Sequence, residues 1–587
     1  MMKRLLFVLV AAAVLFPVSA GAQAISPTVE VTRKYDVSIG DIVKPFSPAS
    51  FNDSLLTFER NFDYSIFSRP YHSLYDFTPY DALQLKPVDP QRYPLVYARI
   101  GCQYPVMPSA EVHLQKITHK GLYFSLSGHH DSFYGLLPSA VFDTEVQTGR
   151  MQNGIRGDFK YAWSAGEFNF KAGYDYDRYS FDNNGYRRWN NLSAFDFSAG
   201  LNSAHKEDGS IYYDFTARLK RTASAYSGGV TAIKQASEET LSLPSDTLRL
   251  AETKMQFKGT VGTTFDIHRV YINMDIRFAG YDDLKNYTLG VVEFSPMYEY
   301  NRGWFSGKLG VRFGNRFGIK ADKNAEVKDG NDLEPWTNIF PDIDARLRLV
   351  KDYLWLHAVI GGGNDMNAYS DLLKTVPWLA PSAPLHFGTR PFDASLTLES
   401  VVLGRVAMNL SGGYVINRSK VMFSPRTQIP GLYSASDPDE LAVLDSPHLI
   451  LPFYEDVNTL YTSIEAFWKS EDLTMGGEFL HNWYFSPDGL NITELPKNTA
   501  RLYARYDIKE RFIFSLDYNF RSPVSGKKFG YYEVPAVHSL DANVNFVINR
   551  HFMIYLKAGN ILNQRNQYVP LYVEPGRNFG GGISVTF

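Results

Sequence analysis

The residues that could do chemistry in this sequence are scattered, and their spacing argues against a catalytic centre. His129 and His130 are adjacent. On an extended chain neighbouring side chains point to opposite faces, so one metal ion cannot take both rings. Gly361-Gly362-Gly363 lacks the Lys-Ser/Thr that follows a phosphate-binding loop. Three consecutive glycines instead let a strand bend or a loop fold back. Asp437, Asp439, Glu440 and Asp445 offer oxygen ligands of the kind calcium takes, in a stretch that reads better as a solvated loop. Cys102 is the sole cysteine, which excludes an internal disulfide and a cysteine-based zinc site. No Ser-His-acid set or carboxylate pair can be placed together. The expectation is a protein that is not an enzyme and holds no metal and no cofactor.

What remains is charge and aromaticity at regular positions. Arg218, Lys220, Asp275, Arg277, Glu465, Arg505, Asp517 and Arg521 each occupy the polar parity of an alternating stretch. They can select a ligand or form structural ion-pair ladders, and ladders are the expected use. Tyr186, Trp189, Phe453 and Tyr454 fall in or near long connections and are the candidate ligand contacts.

The elements that carry these residues are strands. In Ile211 to Lys220 the residues Ile211, Tyr213, Phe215, Ala217 and Leu219 alternate with polar neighbours, and Val270 to Gly280 and Phe512 to Arg521 repeat the pattern. Period two means one apolar and one polar face. Aromatic residues make up 15% of the 587, with a net charge of -3. The charge leaves no basic footprint for nucleic acid, and the aromatics suit rings at a membrane interface. Past the N-terminus no run approaches the roughly 18 apolar residues of a spanning helix. At the N-terminus, Lys3 and Arg4, an apolar run from Leu5 to Val18 and small residues around Ala22 read as a secretory signal peptide over 1–22. Residues 23–94 are rich in proline and read as an extended segment that is periplasmic or fills a lumen.

From residue 95 to 587 the connections alternate between tight and long. The tight ones are THKG at 118, SAGE at 164, SAHKEDG at 203, DIHR at 266, YNRG at 300, VKDY at 350, VVLG at 401, KSED at 469, IKER at 508 and INRH at 548. Long polar loops are expected near 131–150, 222–252, 315–336, 361–387, 418–458 and 521–537. Transmembrane barrels put short turns on the periplasmic side and long loops outside. The fold expected is an all-β transmembrane antiparallel barrel of about 22 strands, or about 20 if the hairpin across Tyr104 to Pro108 is not part of it. Its last strand carries Phe579, Ile583, Val585 and Phe587 toward lipid, with Asn578, Ser584 and Thr586 toward the lumen. Cys102, on the apolar parity of Val96, Ala98 and Ile100, is expected to face lipid.

The closing region carries Gly559-Asn560-Ile561-Leu562-Asn563, then Tyr568, then Pro575-Gly576-Arg577 and a final strand ending in Phe587. This resembles the C-terminal end of TonB-dependent receptors. The resemblance implies the outer membrane of a Gram-negative bacterium, where the count of strands and tight turns puts both termini in the periplasm. It implies ligand uptake powered from the inner membrane. It also implies contact with lipid, with the barrel assembly machinery, and with TonB or a separate periplasmic or surface partner. Arg577, Phe579, Ile583, Val585 and Phe587 would then serve barrel closure and insertion. One departure is that residues 23–94 do not read like the globular plug of that family. The second reading is therefore a plugless structural or scaffold barrel in an envelope complex.

Overall fold

The computed structural model describes residues 95–117, 121–138, 145–183, 186–203, 209–233, 240–242, 247–282, 285, 287–320, 335–379, 381, 383–402, 405–425, 450–489, 492–526, 532–570 and 572–587. Residues 1–22, expected to be a signal peptide, the segment 23–94 and the four acidic residues from Asp437 to Asp445 lie outside the described residues.

Strands are numbered here in chain order from β1 (Val96–Tyr104) to β25 (Asn578–Thr586). Twenty-two of them form one closed antiparallel barrel. β25 closes it onto β1 in continuous register from Tyr97↔Thr586 to Tyr104↔Phe579. Val96 N–H donates to Phe587 O at 3.0 Å and Phe587 N–H to Val96 O at 2.8 Å. Closure leaves no unpaired edge, the condition for crossing hydrocarbon with strands. The three strands outside the wall are β8 (Thr240–Ser242), which extends β7 (Ile211–Ile233), and the small ribbon of β21 (Val524–Gly526) with β22 (Tyr532–Val534). β1 and β2 (Met107–Ile117) pair from Val96↔Leu114 to Gln103↔Met107, so the first hairpin belongs to the wall and the number is 22, not 20.

All ten tight turns lie between hydrogen-bonded staves. The long loops need correction, because the strands run on. β7 has 23 residues, and β16 (Val406–Pro425) and β17 (Ile450–Lys469) have 20 each. About 9–11 suffice to cross a bilayer. Thus 131–138 and 145–150 are strand, belonging to β3 (Leu122–Pro138) and β4 (Glu145–Trp163), and 222–233 continues β7. Pairing between strand neighbours continues past the membrane, where their backbone groups satisfy one another.

The two faces separate as the alternation requires. Ile211, Leu219, Val270, Ile272, Phe512, Phe514, Leu516, Phe579, Ile583 and Phe587 are exposed on the outside, while Asn578 and Ser584 are buried on the inside. Cys102 is exposed on the same outer face as Ile100. A closed barrel with this apolar exterior is a membrane-spanning one.

One sector departs from the regular wall. β13 (Trp336–Val350) pairs with β14 (Leu354–Asp365) only as far as Ile343↔Ile360. Beyond it, the register of β14 with β15 (Gly388–Val402) shifts between Gly361 and Gly363. The top of β14 turns inward over β12 (Phe305–Lys320) and β13, where Arg312 Nη1 donates to Gly362 O at 2.8 Å. A Cβ on Gly362 would sit 2.7 Å from both Arg390 O and Phe340 Cδ1. Only glycine lets the two backbone layers approach this closely, as expected for the glycine triplet.

Candidate functional site

The inward turn carries a segment, residues 366–387, across the loop end of the lumen. It contains the one helix among the described residues, α1 (Tyr369–Thr375). Tyr369, Leu372, Leu373, Val376, Trp378, Leu379, Leu385 and Phe387 are buried in a cluster with residues of distant staves. Those staves are β5 (Gly166–Asn183), β6 (Tyr186–Ser203), β7, β9 (Thr247–Phe265), β10 (His268–Tyr281) and β11 (Tyr287–Arg302). Their contributions, among them Tyr179, Leu192, Tyr226, Leu250, Tyr281 and Leu289, all lie on the lumen parity. A segment that starts at β14 can reach β5 and β11 together only by crossing the lumen. Each such side chain withdrawn from water contributes about 1.5–3 kcal/mol before the entropy of ordering the segment.

Polar contacts fix where the segment sits. Asn190 Nδ2 donates to Pro377 O at 2.8 Å, and Ser224 Oγ donates to Asn190 Oδ1 at 3.0 Å. The Tyr369 hydroxyl reaches Ser224 Oγ at 3.3 Å and donates to Leu379 O at 3.2 Å. Ser370 N–H faces both carboxylate oxygens of Glu252 at 3.3 Å. Asp371 is ion-paired with Lys254 of β9 and lies 3.3 Å from Lys374. Burial pushes the Asp371 carboxyl up, but Lys254 and Lys374 outweigh it and hold it below the usual carboxylate range. Lys285 Nζ donates to Ala383 O at 2.6 Å and the Tyr454 hydroxyl to Pro384 O at 3.1 Å.

The last long loop, 560–577, meets this segment from the other side. Trp378 stacks on Tyr572, with centroids 5.3 Å apart and planes at 6°, while Tyr179 presents its edge to Trp378 at 6.1 Å. The Asn-Ile-Leu-Asn and Pro-Gly-Arg motifs are the two ends of this loop, and they clasp each other. Asn560 Nδ2 donates to Gln564 O at 2.8 Å and to Pro575 O at 3.0 Å. Asn563 Oδ1 accepts from Arg577 N–H at 2.9 Å, and Arg577 Nε donates to Ile561 O at 3.2 Å. Asn560 and Asn563 have φ of 44° and 55°. Asparagine tolerates this left-handed region better than most residues, so both its backbone and its amide suit the motif.

Lumen charges form ladders along the wall beneath. Arg218 pairs with Asp196, Arg277 with Glu293 at 3.0 Å, and Arg501 with Asp517 at 2.8 Å. Gln256 Nε2 donates to Asp275 Oδ1 at 2.9 Å, Asn409 Nδ2 to Glu465 Oε2 at 3.0 Å, and Arg521 Nη1 to Tyr568 O at 2.9 Å. Lys220 and Arg505 share this face by register. Glu293 also accepts from Asn364 N–H at 2.8 Å, so the ladder holds the base of the inward segment.

The four candidate aromatics do not converge. Tyr186 opens β6, and its side chain lies outside the described residues. Trp189 is half-buried on the parity opposite to the lumen-facing Asn190. Phe453 packs with Met422, Val457 and Ile492. Tyr454 braces the inward segment, with its ring edge-on to His386 at 4.8 Å. The residues missed at the mouth are Tyr179, Trp378 and Tyr572. The signal for the inward segment was available, since Tyr369, Leu372, Leu373, Val376, Trp378, Leu379, Leu385 and Phe387 make 361–387 too apolar for a solvated loop. His129 and His130 take opposite faces as expected, with His130 Nδ1 2.7 Å from Asn153 Oδ1.

No protein-family model matches the chain, and no curated sequence matches it. Solved structures do. The copper transporter OprC superposes with a TM-score of 0.63 at 10% identity, over 85% of this chain and 82% of that one. The FrpB iron transporter from Neisseria meningitidis gives 0.60 at 9% identity, over 85% and 82%. The pyoverdine outer membrane receptor FpvA from Pseudomonas aeruginosa PAO1 gives 0.60 at 10% identity, over 85% and 79%. With its closed wall of 22 strands, the chain has the barrel fold of the TonB-dependent receptors.

Proposed function

We propose that this protein is a receptor and transport barrel of the outer membrane of a Gram-negative bacterium, with its tight turns and both termini in the periplasm. The observation that carries the reading is the inward segment 366–387, which gives the wide lumen a packed, hydrogen-bonded constriction at its loop end. A passive scaffold has no need of such a constriction, whereas a receptor needs a surface there that meets a ligand and can rearrange. The barrel fold shared with solved copper and iron transporters and a pyoverdine receptor supports the same reading. Partners on this reading are lipid, the barrel assembly machinery that reads the last strand through Phe579, Ile583, Val585 and Phe587, and TonB at the periplasmic face. Arg577 acts in the loop clasp rather than in the strand itself.

The test is growth of a deletion strain under limitation for copper, iron or a chelated metal. Complementation should restore growth only when the energy-transducing complex is intact. Rescue that is indifferent to that complex, or no growth phenotype in any limited medium alongside stable co-purification with envelope proteins, would favour the scaffold.

A further inference from the structure

On neighbouring staves of one sector, the outward-facing row of side chains climbs from apolar residues to arginine. On β5 the row Phe168, Phe170, Ala172, Tyr174, Tyr176 leads to Arg178, and on β7 the row Tyr213, Phe215, Ala217, Leu219 leads to Arg221. Phe195 and Ser193 of β6 lead to Asn191, and Met255, Thr253 and Ala251 of β9 lead to Arg249. Phe170, Phe195, Leu219 and Met255 are exposed on the lipid side, and residues of one parity share a face, so the three arginines stand on the outer surface. The ladders place Arg178, Asn191, Ala225 and Arg249 in one line across β5, β6, β7 and β9. Three strand spacings separate the two arginines by roughly 14 Å at their Cα atoms, and Arg221, below Ala225 on β7, stands about as far from Arg249.

Arg221 is held in place across β9. Its Nη1 donates to Thr253 Oγ1 at 2.9 Å and its Nη2 to Asp282 Oδ2 at 2.8 Å, which uses two of its five N–H donors. Arg178 and Arg249 are exposed, and among the described residues neither is ion-paired. The exposed Arg418 of β16, in another sector, is instead neutralised by Asp456 at 2.6 Å. Three guanidinium groups outnumber the Asp282 carboxylate, so the sector is cationic at the water end of an apolar wall.

We propose that this sector holds a lipid of the outer leaflet whose headgroup carries two phosphates, with the phosphates on Arg178, Arg221 and Arg249 and the acyl chains on the apolar rows below. Charge and position select this occupant together. Phosphate oxygens accept from the planar guanidinium fork, and cationic side chains at the edge of a hydrocarbon band attract anionic lipids. The exposed rings and aliphatic chains beneath call for hydrocarbon, which a free phosphate does not bring. A triangle of cations this wide matches two phosphates on one headgroup better than a single phosphate. The inference rests on the outer-membrane reading; lipid binding by the purified protein involves no transport, so either can fail alone.

The experiment is native mass spectrometry of the delipidated full-length barrel, titrated in detergent with bisphosphorylated lipid A, with the same lipid after phosphatase treatment, and with phosphatidylglycerol. The bisphosphorylated lipid is expected to bind at least tenfold more tightly than either, and inorganic phosphate should not displace it. Arg178→Gln combined with Arg249→Gln should weaken it at least tenfold, while Arg418→Gln should leave it unchanged. Heat-modifiable gel mobility checks that each variant is a folded barrel. The proposal is overturned if the dephosphorylated lipid or phosphatidylglycerol binds as tightly as the bisphosphorylated one, if inorganic phosphate displaces it, or if the folded double variant binds it as the wild type does.

Discussion

Two segments meet over the mouth of this barrel, and they are fastened by different chemistry. The inward segment 366–387 is held by charge and apolar burial: Asp371 between Lys254 and Lys374, Ser370 on Glu252, and a buried row from Tyr369 to Phe387. The last loop, 560–577, is held by neutral amides at its two ends, with its one buried carboxyl, Glu574, loosely paired. In the first, the Asp371 carboxyl is held ionised by its two lysines, whereas in the second burial favours a neutral Glu574. The contrast separates a seat that loosens when its carboxylate is neutralised from a loop that loosens when its carboxyl ionises.

The largest expected effect lies at the base of the inward segment. Gly362→Val puts side-chain atoms where a Cβ alone would be 2.7 Å from Arg390 O and Phe340 Cδ1. It should cost about 3 kcal/mol of local stability and expose 366–387 to protease while 560–577 stays protected. Gly361→Val, with nothing within 4 Å of its Cβ, is the matched control and should change little. Next comes the clasp. Asn560→Ala removes the amide bonds to Gln564 and Pro575 and a side chain suited to positive φ, and should loosen 560–577 by about 2–3 kcal/mol. Hydrogen exchange should report this loss without a change around α1. If either variant loosens both segments equally, the comparison fails.

Charge effects are smaller. The Asp371 side chain is 37% exposed, so solvent screens its pair with Lys254 and Asp371→Asn should cost only about 1 kcal/mol. The pH responses should differ in sign. A carboxyl lowered by folding, such as Asp371, adds stability that is present above its ordinary value of 3.8 and is lost as pH falls through the folded value. A carboxyl raised by folding, such as Glu574, adds stability that is full below its ordinary value of 4.5 and is lost as pH rises through the folded value. Protection factors corrected for intrinsic exchange should therefore fall in 366–387 on acidification below about pH 4, and in 560–577 on raising pH above about 4.5. Glu574→Gln should abolish the second trend.

Much of the fold was legible in the sequence. Ten tight turns and period-two alternation fix the wall because a lipid-facing row and a lumen-facing row leave a binary record. Strand length was less legible. Past the membrane the lumen face turns apolar, as at Leu289 and Val291, and the alternation that marks a strand fades although the ladder continues. Gly361 to Gly363 could be read as a bend because only backbone geometry was involved. The convergence of Tyr179, Trp378 and Tyr572 could not, since it joins three stretches separated by about two hundred residues each and depends on where the inward segment lands. The Asn-Ile-Leu-Asn and Pro-Gly-Arg motifs were recognisable as a signature, and their hydrogen bonds supply the physical reason for it.

The central claim is that residues 366–387 sit inside the mouth against β9. Carbodiimide treatment of intact outer membranes joins a carboxylate to an amine only where the two already touch. Mass spectrometry should then find Asp371 linked to Lys254, 117 positions away, and Lys254→Gln should remove that product while sparing the local link from Asp371 to Lys374. Recovery of the local link alone from the wild-type protein would contradict the account.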